Sequence, residues 1–390
     1  MIGIKSWAAG WKYNAAYIII DKNMKTLLKK IIDSYENSDA ADKLRQIFID
    51  EFIKNKDKFC SVIYVDIPYC RQKCAYCVYT GKLNPPDDEL DDYVSKVIPY
   101  KTALYKEIFE QCSFDMIYFG GGTPDILSTV QLEKIFSAVP SFENIKYKMT
   151  EAHPALLTDE HIDLYKKYNF CYLSLGIQSL DTEVLKKNNR LLFARDDLKV
   201  LSKKLDGIFY NADIIAFLDS RDAPDLEITK KDLEYLCGNI KAPSVTVHHN
   251  AGAEKNINTV KGMVNLVSDI CSKYNYICVN SNLNDIDIKA VISKFKDNLW
   301  ELKIIRKDLS AKYVPDYLVS EFNNDDVFGF NMLGLGGNEH HPVLSTVSNI
   351  RYYETENTII AKPLDKISFT DFVYFLHILS KNNITLPVKG

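Results

Sequence analysis

Apolar and polar positions alternate in six short stretches between Ser61 and His249: SVIYVDI, MIYFGGG, KYKMTEA, YLSLGIQS, NADIIAFL and SVTVHH. Each reads as a strand, because period-2 alternation puts every second side chain on one face. Between them apolar residues recur at helical spacing. Leu104, Ile108 and Phe109 share one face of a helix expected after Pro99. Another helix opens at Ser128, with Gln131 three residues on in a capping-box pattern. Six strand–helix units in order predict an α/β fold, a parallel sheet wound into a partial or full (β/α) barrel. Active sites of such barrels collect at the carboxyl ends of the strands.

The flanks read differently. Leu27, Leu28, Ile31, Ile32 and Tyr35 repeat at helical spacing, as do Leu44, Ile47, Phe48 and Phe52, so residues 1–60 are expected as a helical leader. Residues 61–255 make the core barrel. Residues 256–390 form an α/β extension that completes the barrel and covers its active site. In that extension the pattern predicts a helix over Val260–Tyr274 and a strand at YICVN. Helix is expected again from about Asp285 to Lys307. A glycine-rich apolar turn follows over Val327–Gly337, and a last helix over Ser368–Ser380.

Composition narrows the class. With 390 residues and 46 % hydrophobic content, the chain can bury one large core or two smaller ones. The net charge of −4 is built from interspersed signs, which gives no electrostatic case for nucleic acid or an anionic membrane. AAYIII, between Lys12 and Asp21, is too short to span a bilayer, and the start lacks a signal-peptide pattern. A cytoplasmic location is expected.

The nine cysteines are unevenly placed. Cys70, Cys74 and Cys77 fall within eight residues, in a C-x3-C-x2-C spacing just after the first strand breaks at Pro68. Thiolates that close can share one inorganic centre. A structural zinc site wants four closed ligands, and no second pair follows. A [4Fe–4S] cube held by three thiolates leaves one iron open for a small-molecule ligand. Tyr76 precedes the last loop cysteine, where its ring can lie against a flat ligand. Reduced thiolates point to a reducing compartment, and the other six cysteines read as small buried hydrophobes.

Further motifs stand at the strand ends. Gly120, Gly121 and Gly122, followed by Thr123 and Pro124, close the second strand, where bare backbone can approach a ligand. TEAHP places Glu151 at the end of the third strand. YLSLGIQSLD places Gln178, Ser179 and Asp181 at the end of the fourth, Arg190 follows in LKKNNR, and Asp213 lies in the fifth.

Cys-x3-Cys-x-aromatic-Cys after the first strand is the signature of radical S-adenosylmethionine (SAM) enzymes. Together with FGGGTP, E-x-x-P, GIQSLD, the following arginine and DII, the chain resembles their oxygen-independent coproporphyrinogen oxidase-like (HemN-like) subfamily from about Tyr64 to Leu218, with an echo at LGLGG. The resemblance implies a [4Fe–4S] cluster on Cys70, Cys74 and Cys77 whose open iron chelates SAM. Reductive cleavage then gives methionine and a 5′-deoxyadenosyl radical. It implies that Tyr64, Gly121 and Glu151 contact this SAM and that the glycine run from Gly120 holds its methionine amino group, with Tyr76 the aromatic placed beside the ligand. Gly122, Thr123, Gln178, Arg190 and Asp213 correspond to contacts of a second SAM, which relatives use as a methyl or methylene donor. The implied partners are a small-molecule or peptide substrate and an electron donor such as flavodoxin or ferredoxin, in an anaerobic-type cytoplasmic enzyme.

The chain also departs from the subfamily pattern. Asp66 stands where a histidine is usual, Asn189–Arg190 replaces Gly–Arg, and AFLDSRD replaces a run into GLPGQT. The haem chaperones' HNxxYW-like segment is missing before the glycine-rich turn. These changes disfavour coproporphyrinogen oxidation itself. Of two histidine pairs, His248–His249 ends the sixth strand facing the expected site, and His340–His341 follows Glu339. Tyr64 and His249 are the catalytic candidates. Three readings follow: a radical SAM enzyme acting by methyl or methylene transfer or by plain hydrogen abstraction, a non-catalytic haem-binding or haem-trafficking chaperone, and a tetrapyrrole-modifying enzyme.

Overall fold

The computed structural model describes residues 38–57, 60–77, 81–218, 226–249, 257–278, 301–309, 331–336, 344–345, 350–354 and 359–363. Its six central strands are those the alternation marks: β1 (Ser61–Ile67), β2 (Met116–Gly121), β3 (Tyr147–Ala152), β4 (Phe170–Gln178), β5 (Phe209–Ala216) and β6 (Ser244–His249). They pair in parallel and in chain order. β7 (Tyr276–Cys278), β8 (Glu301–Arg306) and β9 (Asn331–Gly336) extend the sheet, followed by β10 (Leu344–Ser345), β11 (Ile350–Glu354) and β12 (Ile359–Pro363). The spatial order is β12-β11-β10-β9-β1-β2-β3-β4-β5-β6-β8-β7. Among the described residues the outer strands do not meet, so the sheet is open and no closed barrel forms.

Two stretches of the extension differ from their sequence pattern. Residues 301–306, expected as helix, are β8, antiparallel to β6 and β7. Residues 331–336, expected within a turn, are β9, parallel to β1 from Ser61↔Asn331 to Asp66↔Gly336. Gly336 lies where neighbouring groups come close, so glycine permits the strand there. The helix expected after Pro99 begins earlier: a helical run 87–111 opens behind Pro86 with Asp87, Asp88 and Glu89 in its first turn. Acidic residues suit the positive end of a helix. A π turn at Tyr93–Val97 precedes Pro99, which falls in the first turn of the next segment, where its missing N–H costs little. The first leader helix, the rest of the 285–307 segment, His340, His341 and the 368–380 helix lie outside the described residues.

Helices α1 (Ser38–Asn55), α2 (Thr129–Ala138), α3 (Asp159–Lys167), α4 (Thr182–Lys187), α5 (Asp197–Lys204), α6 (Glu227–Glu234) and α7 (Ile257–Tyr274) connect or flank the strands. The Ser128–Gln131 capping box opens α2 in both directions. β1 is buried at six of its seven positions, as a central parallel strand covered on both faces should be. Ile63, Val65 and Ile67 join the main core with Leu132 and Ile135 of α2. The alternate positions form a second, smaller apolar cluster of Val62, Met116, Met149, Tyr172, Phe209 and Ile305. Further along the same strands that face turns polar, and the site stands there.

Candidate functional site

The cysteine loop leaves β1 at Pro68 and is tied back to it. Lys82 N–H donates to the Pro68 carbonyl at 2.8 Å and Asn84 N–H to the Cys70 carbonyl at 2.9 Å. Cys70, Cys74 and Cys77 are half-buried and in no disulfide. Burial pushes the Cys70 thiol up, opposed by the Thr123 hydroxyl and seconded by the neighbouring Cys77 and Cys74. Thr123 Oγ1 lies 3.6 Å from the Cys70 sulfur.

The glycine run ends β2 beside this loop. Gly122 N–H donates to the Ile67 carbonyl at 2.7 Å. Gly121 has φ of +102°, and a Cβ there would overlap the Asp66 carboxylate, so only glycine serves. A Cβ at Gly122 would lie 2.9 Å from the Cys70 sulfur. At Gly120 it would lie 2.6 Å from the Tyr64 hydroxyl and 3.1 Å from Glu151 Oε1. Tyr64, Glu151 and the cysteine loop therefore converge on three consecutive bare backbone positions.

Tyr64 stacks on Tyr118, centroids 5.9 Å apart, and the Tyr118 hydroxyl donates to Glu151 Oε1 at 3.2 Å. Burial raises Glu151 to about 8, helped by the negative charges of Asp213 and Asp66 and opposed by the Tyr118 hydrogen bond. Asp66, only 2 % exposed, is raised to about 7 by burial. Its carbonyl accepts the Tyr93 hydroxyl. Asp66 therefore belongs to the site, although sequence comparison marks it only as a departure from pattern.

β4 contributes through a bulge. Its register against β5 shifts between Gly176 and Gln178, and Gln178 takes φ of +69°. A Cβ at Gly176 would lie 3.0 Å from both the Arg190 guanidinium and the Gln178 side-chain amide, so those two side chains meet over it. Arg190 spans from sheet to loop: Nη2 donates to the Gly176 carbonyl, while Nη1 reaches the Tyr76 hydroxyl at 2.9 Å and the Cys74 sulfur at 3.6 Å. Asp213 accepts from Ser174 Oγ and, on its other oxygen, from Asn211 Nδ2 at 2.7 Å. His248 Nε2 lies 3.2 Å from that same oxygen. Asn211 in turn accepts from Ser244 and Thr246 at 2.7 and 3.0 Å. His248, unassigned from sequence, is thus the histidine in contact with Asp213. His249, the expected catalytic histidine, occupies the last ladder position of β6, opposite Ala216.

Other motif residues serve the scaffold. Asp181 caps α4 by accepting the Glu183 and Val184 N–H groups. Ser179 donates to buried Asp232 at 2.8 Å. Behind the glycine run Asp125 accepts the His153 N–H at 2.8 Å and the Tyr165 hydroxyl at 3.0 Å. His153 is held near 3 by burial, seconded by the Arg190 charge, and so stays neutral. This buried support is invisible to periodicity, because its members lie far apart in the chain.

The residues present fit an iron–sulfur cluster with an adenosyl ligand. Among the described residues no three histidine, cysteine or acidic side chains converge on a point that a single ion would occupy. A cluster takes one thiolate per iron, so three loosely grouped sulfurs suit it better than they suit zinc. Beside them lie a bare-backbone cradle and a carboxylate, which suit an amino-acid chain and a diol.

Comparison with known proteins agrees with this geometry. Residues 64–199 match the Radical SAM superfamily. The heme chaperone HemW of Buchnera aphidicola subsp. Schizaphis graminum is 29 % identical over 181 residues, 44 % of this chain and 46 % of that protein. The oxygen-independent coproporphyrinogen-III oxidase-like protein HemZ of Bacillus subtilis is 25 % identical over 201 residues, 48 % of this chain and 38 % of that protein. These matches cover about half or less of the relatives' length. Among solved structures, coproporphyrinogen III oxidase (HemN) from Escherichia coli aligns with a TM-score of 0.60 at 13 % identity, over 87 % of this chain and 82 % of that one. The fold is therefore similar to that of HemN. Among the described residues no helix is long and apolar enough to cross a membrane.

Proposed function

We propose that this chain is a radical SAM enzyme in which Cys70, Cys74 and Cys77 hold a [4Fe–4S] cluster and SAM occupies the cradle beside it. When bound, the cluster supplies the electron that splits SAM into methionine and a 5′-deoxyadenosyl radical. The protein's part is to position these groups. Gly120, Gly121 and Gly122 leave backbone open to the methionine end, Glu151 takes the ribose hydroxyls, and Tyr64 and Tyr76 flank the ligand. The observation that carries this reading is the meeting of Cys70, the bare glycine run and Glu151 at the carboxyl ends of β1, β2 and β3, with Cys74 and Cys77 on the same loop as Cys70.

Gln178, Arg190 and Asp213 are the residues proposed for a second SAM. The substrate proposed is a small molecule or peptide, the reductant a flavodoxin- or ferredoxin-like donor, and the setting the cytoplasm. The test is anaerobic reconstitution with iron and sulfide, then reduction, with products separated by chromatography. Formation of 5′-deoxyadenosine by the wild type and its loss in Cys70→Ala, Cys74→Ala and Cys77→Ala are expected. S-adenosylhomocysteine as a second product marks methyl transfer, and 5′-deoxyadenosine alone marks hydrogen abstraction.

A haem-binding role is the second reading, favoured by the name of the HemW relatives, heme chaperone. A Soret-band titration that saturates at one haem per chain, with no 5′-deoxyadenosine formed, would replace the enzymatic reading with this one.

A further inference from the structure

The segment that ends α4 is built to hold the cysteine loop. Arg190 N–H donates to the Leu185 carbonyl and Asn189 N–H to that of Lys186, each at 3.0 Å. These paired bonds form a Schellman motif, which needs its C′ residue in the left-handed region. Asn189 takes that place with φ of +50°. Glycine is the usual residue there, and asparagine is among the few others that tolerate it.

Asparagine adds what glycine lacks. Asn189 Nδ2 donates to the Lys73 carbonyl at 2.8 Å, and Asn189 Oδ1 accepts from Gln72 Nε2 at 2.6 Å. The residue before it joins in: the Asn188 carbonyl accepts the Ala75 N–H at 2.9 Å. The Asn188 side chain is itself fixed, donating to the Val184 and Leu218 carbonyls at 2.9 and 3.0 Å. The residue after it, Arg190, reaches Tyr76 and the Cys74 sulfur. Three consecutive residues of one helix end thus grip residues 72–76, the stretch between the first and last loop cysteines.

We infer that Asn188, Asn189 and Arg190 form a clasp that organises the cysteine loop before any cluster is present, with Asn189 the positioning residue. The inference rests on the cluster assignment proposed above, but the clasp itself joins protein to protein. A loop held in its ligating shape loses less freedom on taking up a cluster and opens less often to release it. The Asn189 bonds are exposed, so their joint effect is modest, about fivefold in the rate of loop opening.

The test is Asn189→Gly, which keeps the left-handed helix end and removes only the side-chain bonds to the loop. In the metal-free protein, alkylation of Cys70, Cys74 and Cys77 by iodoacetamide, mapped by mass spectrometry, should run about fivefold faster than in wild type. In the reconstituted protein, iron loss to a chelator should accelerate by a similar factor. Gln72→Ala, on the loop side, repeats the test without touching the helix end and should show a smaller change of the same sign. Equal alkylation and equal iron loss in both variants would overturn the clasp. Should wild type take up no cluster, the cluster assignment fails, and the alkylation comparison alone still decides the clasp.

Discussion

Glu151 is a carboxyl group that the fold holds protonated near neutral pH, since burial and the charges of Asp213 and Asp66 raise it to about 8. A ribose diol donates hydrogen bonds, so the form that binds it best is the carboxylate. Binding SAM should therefore expel a proton, and affinity should weaken as pH falls below about 8, by up to about tenfold per pH unit. Calorimetry in buffers of different ionisation heat reads both affinity and proton release. Glu151→Gln should bind more weakly and lose the dependence. Asp213→Asn should move the midpoint to lower pH, because one of the charges raising Glu151 is gone. Affinity independent of pH between 6 and 8 would show that Glu151 does not take the diol. At this scale the sequence marked residues that have a motif or a family counterpart, and the structure brings Cys70, the glycine run and Glu151 together and sets Arg190 against Cys74. Asp66 and His248 were not singled out as site residues, because only the pairing of β1 with β2 and of β5 with β6 brings them to the others.

Elements were legible where alternation runs unbroken, which is why all six parallel strands stand where the pattern puts them. β9 was not, because Gly334 and Gly336 read as turn residues. The structure gives Gly336 a different purpose. Its φ is +81°, and a Cβ there would overlap the Tyr93 hydroxyl and lie 2.6 Å from the Asp66 carbonyl. Gly336 thus lets β9 close against β1 while the Tyr93 hydroxyl bonds the Asp66 carbonyl between them. Gly336→Ala should destabilise the fold by about 2–4 kcal/mol, read from urea midpoints. Tyr93→Phe removes one of the two obstructing groups, so in that background Gly336→Ala should be less harmful, a coupling that a double-mutant cycle measures directly. Additive effects would mean that β9 and the π turn carrying Tyr93 do not meet through this residue. β8 was misread for another reason: Leu302, Ile304 and Ile305 suit a helical face as well as a buried strand, and short apolar runs do not distinguish the two.

On the scale of the whole molecule, the buried carboxyl groups act together. Burial raises Asp66 and Asp232 to about 7, Asp125 to about 6 and Glu151 to about 8. Each folded-state value lies above that of an exposed acid, so each stabilises the fold fully at pH values below its unfolded value. That contribution is lost as pH climbs toward the folded one. His153 works in the opposite sense. It is held neutral down to about 3, so its effect favours the fold as pH rises toward 6.5 and is constant above that. Four acids outweigh one histidine between pH 5 and 6, and above pH 6.5 the acids act alone until Glu151 ionises. The metal-free protein should therefore lose stability steadily from pH 5 to 8, measured as a falling urea midpoint. Asp232, which lies under the end of β4 and touches no proposed ligand, gives the control: Asp232→Asn should flatten the decline between pH 5 and 7 and leave the Glu151 portion intact. A midpoint that rises over this interval would mean that these carboxyls are ionised in the folded chain, and that the polar end of the sheet is far wetter than its packing indicates.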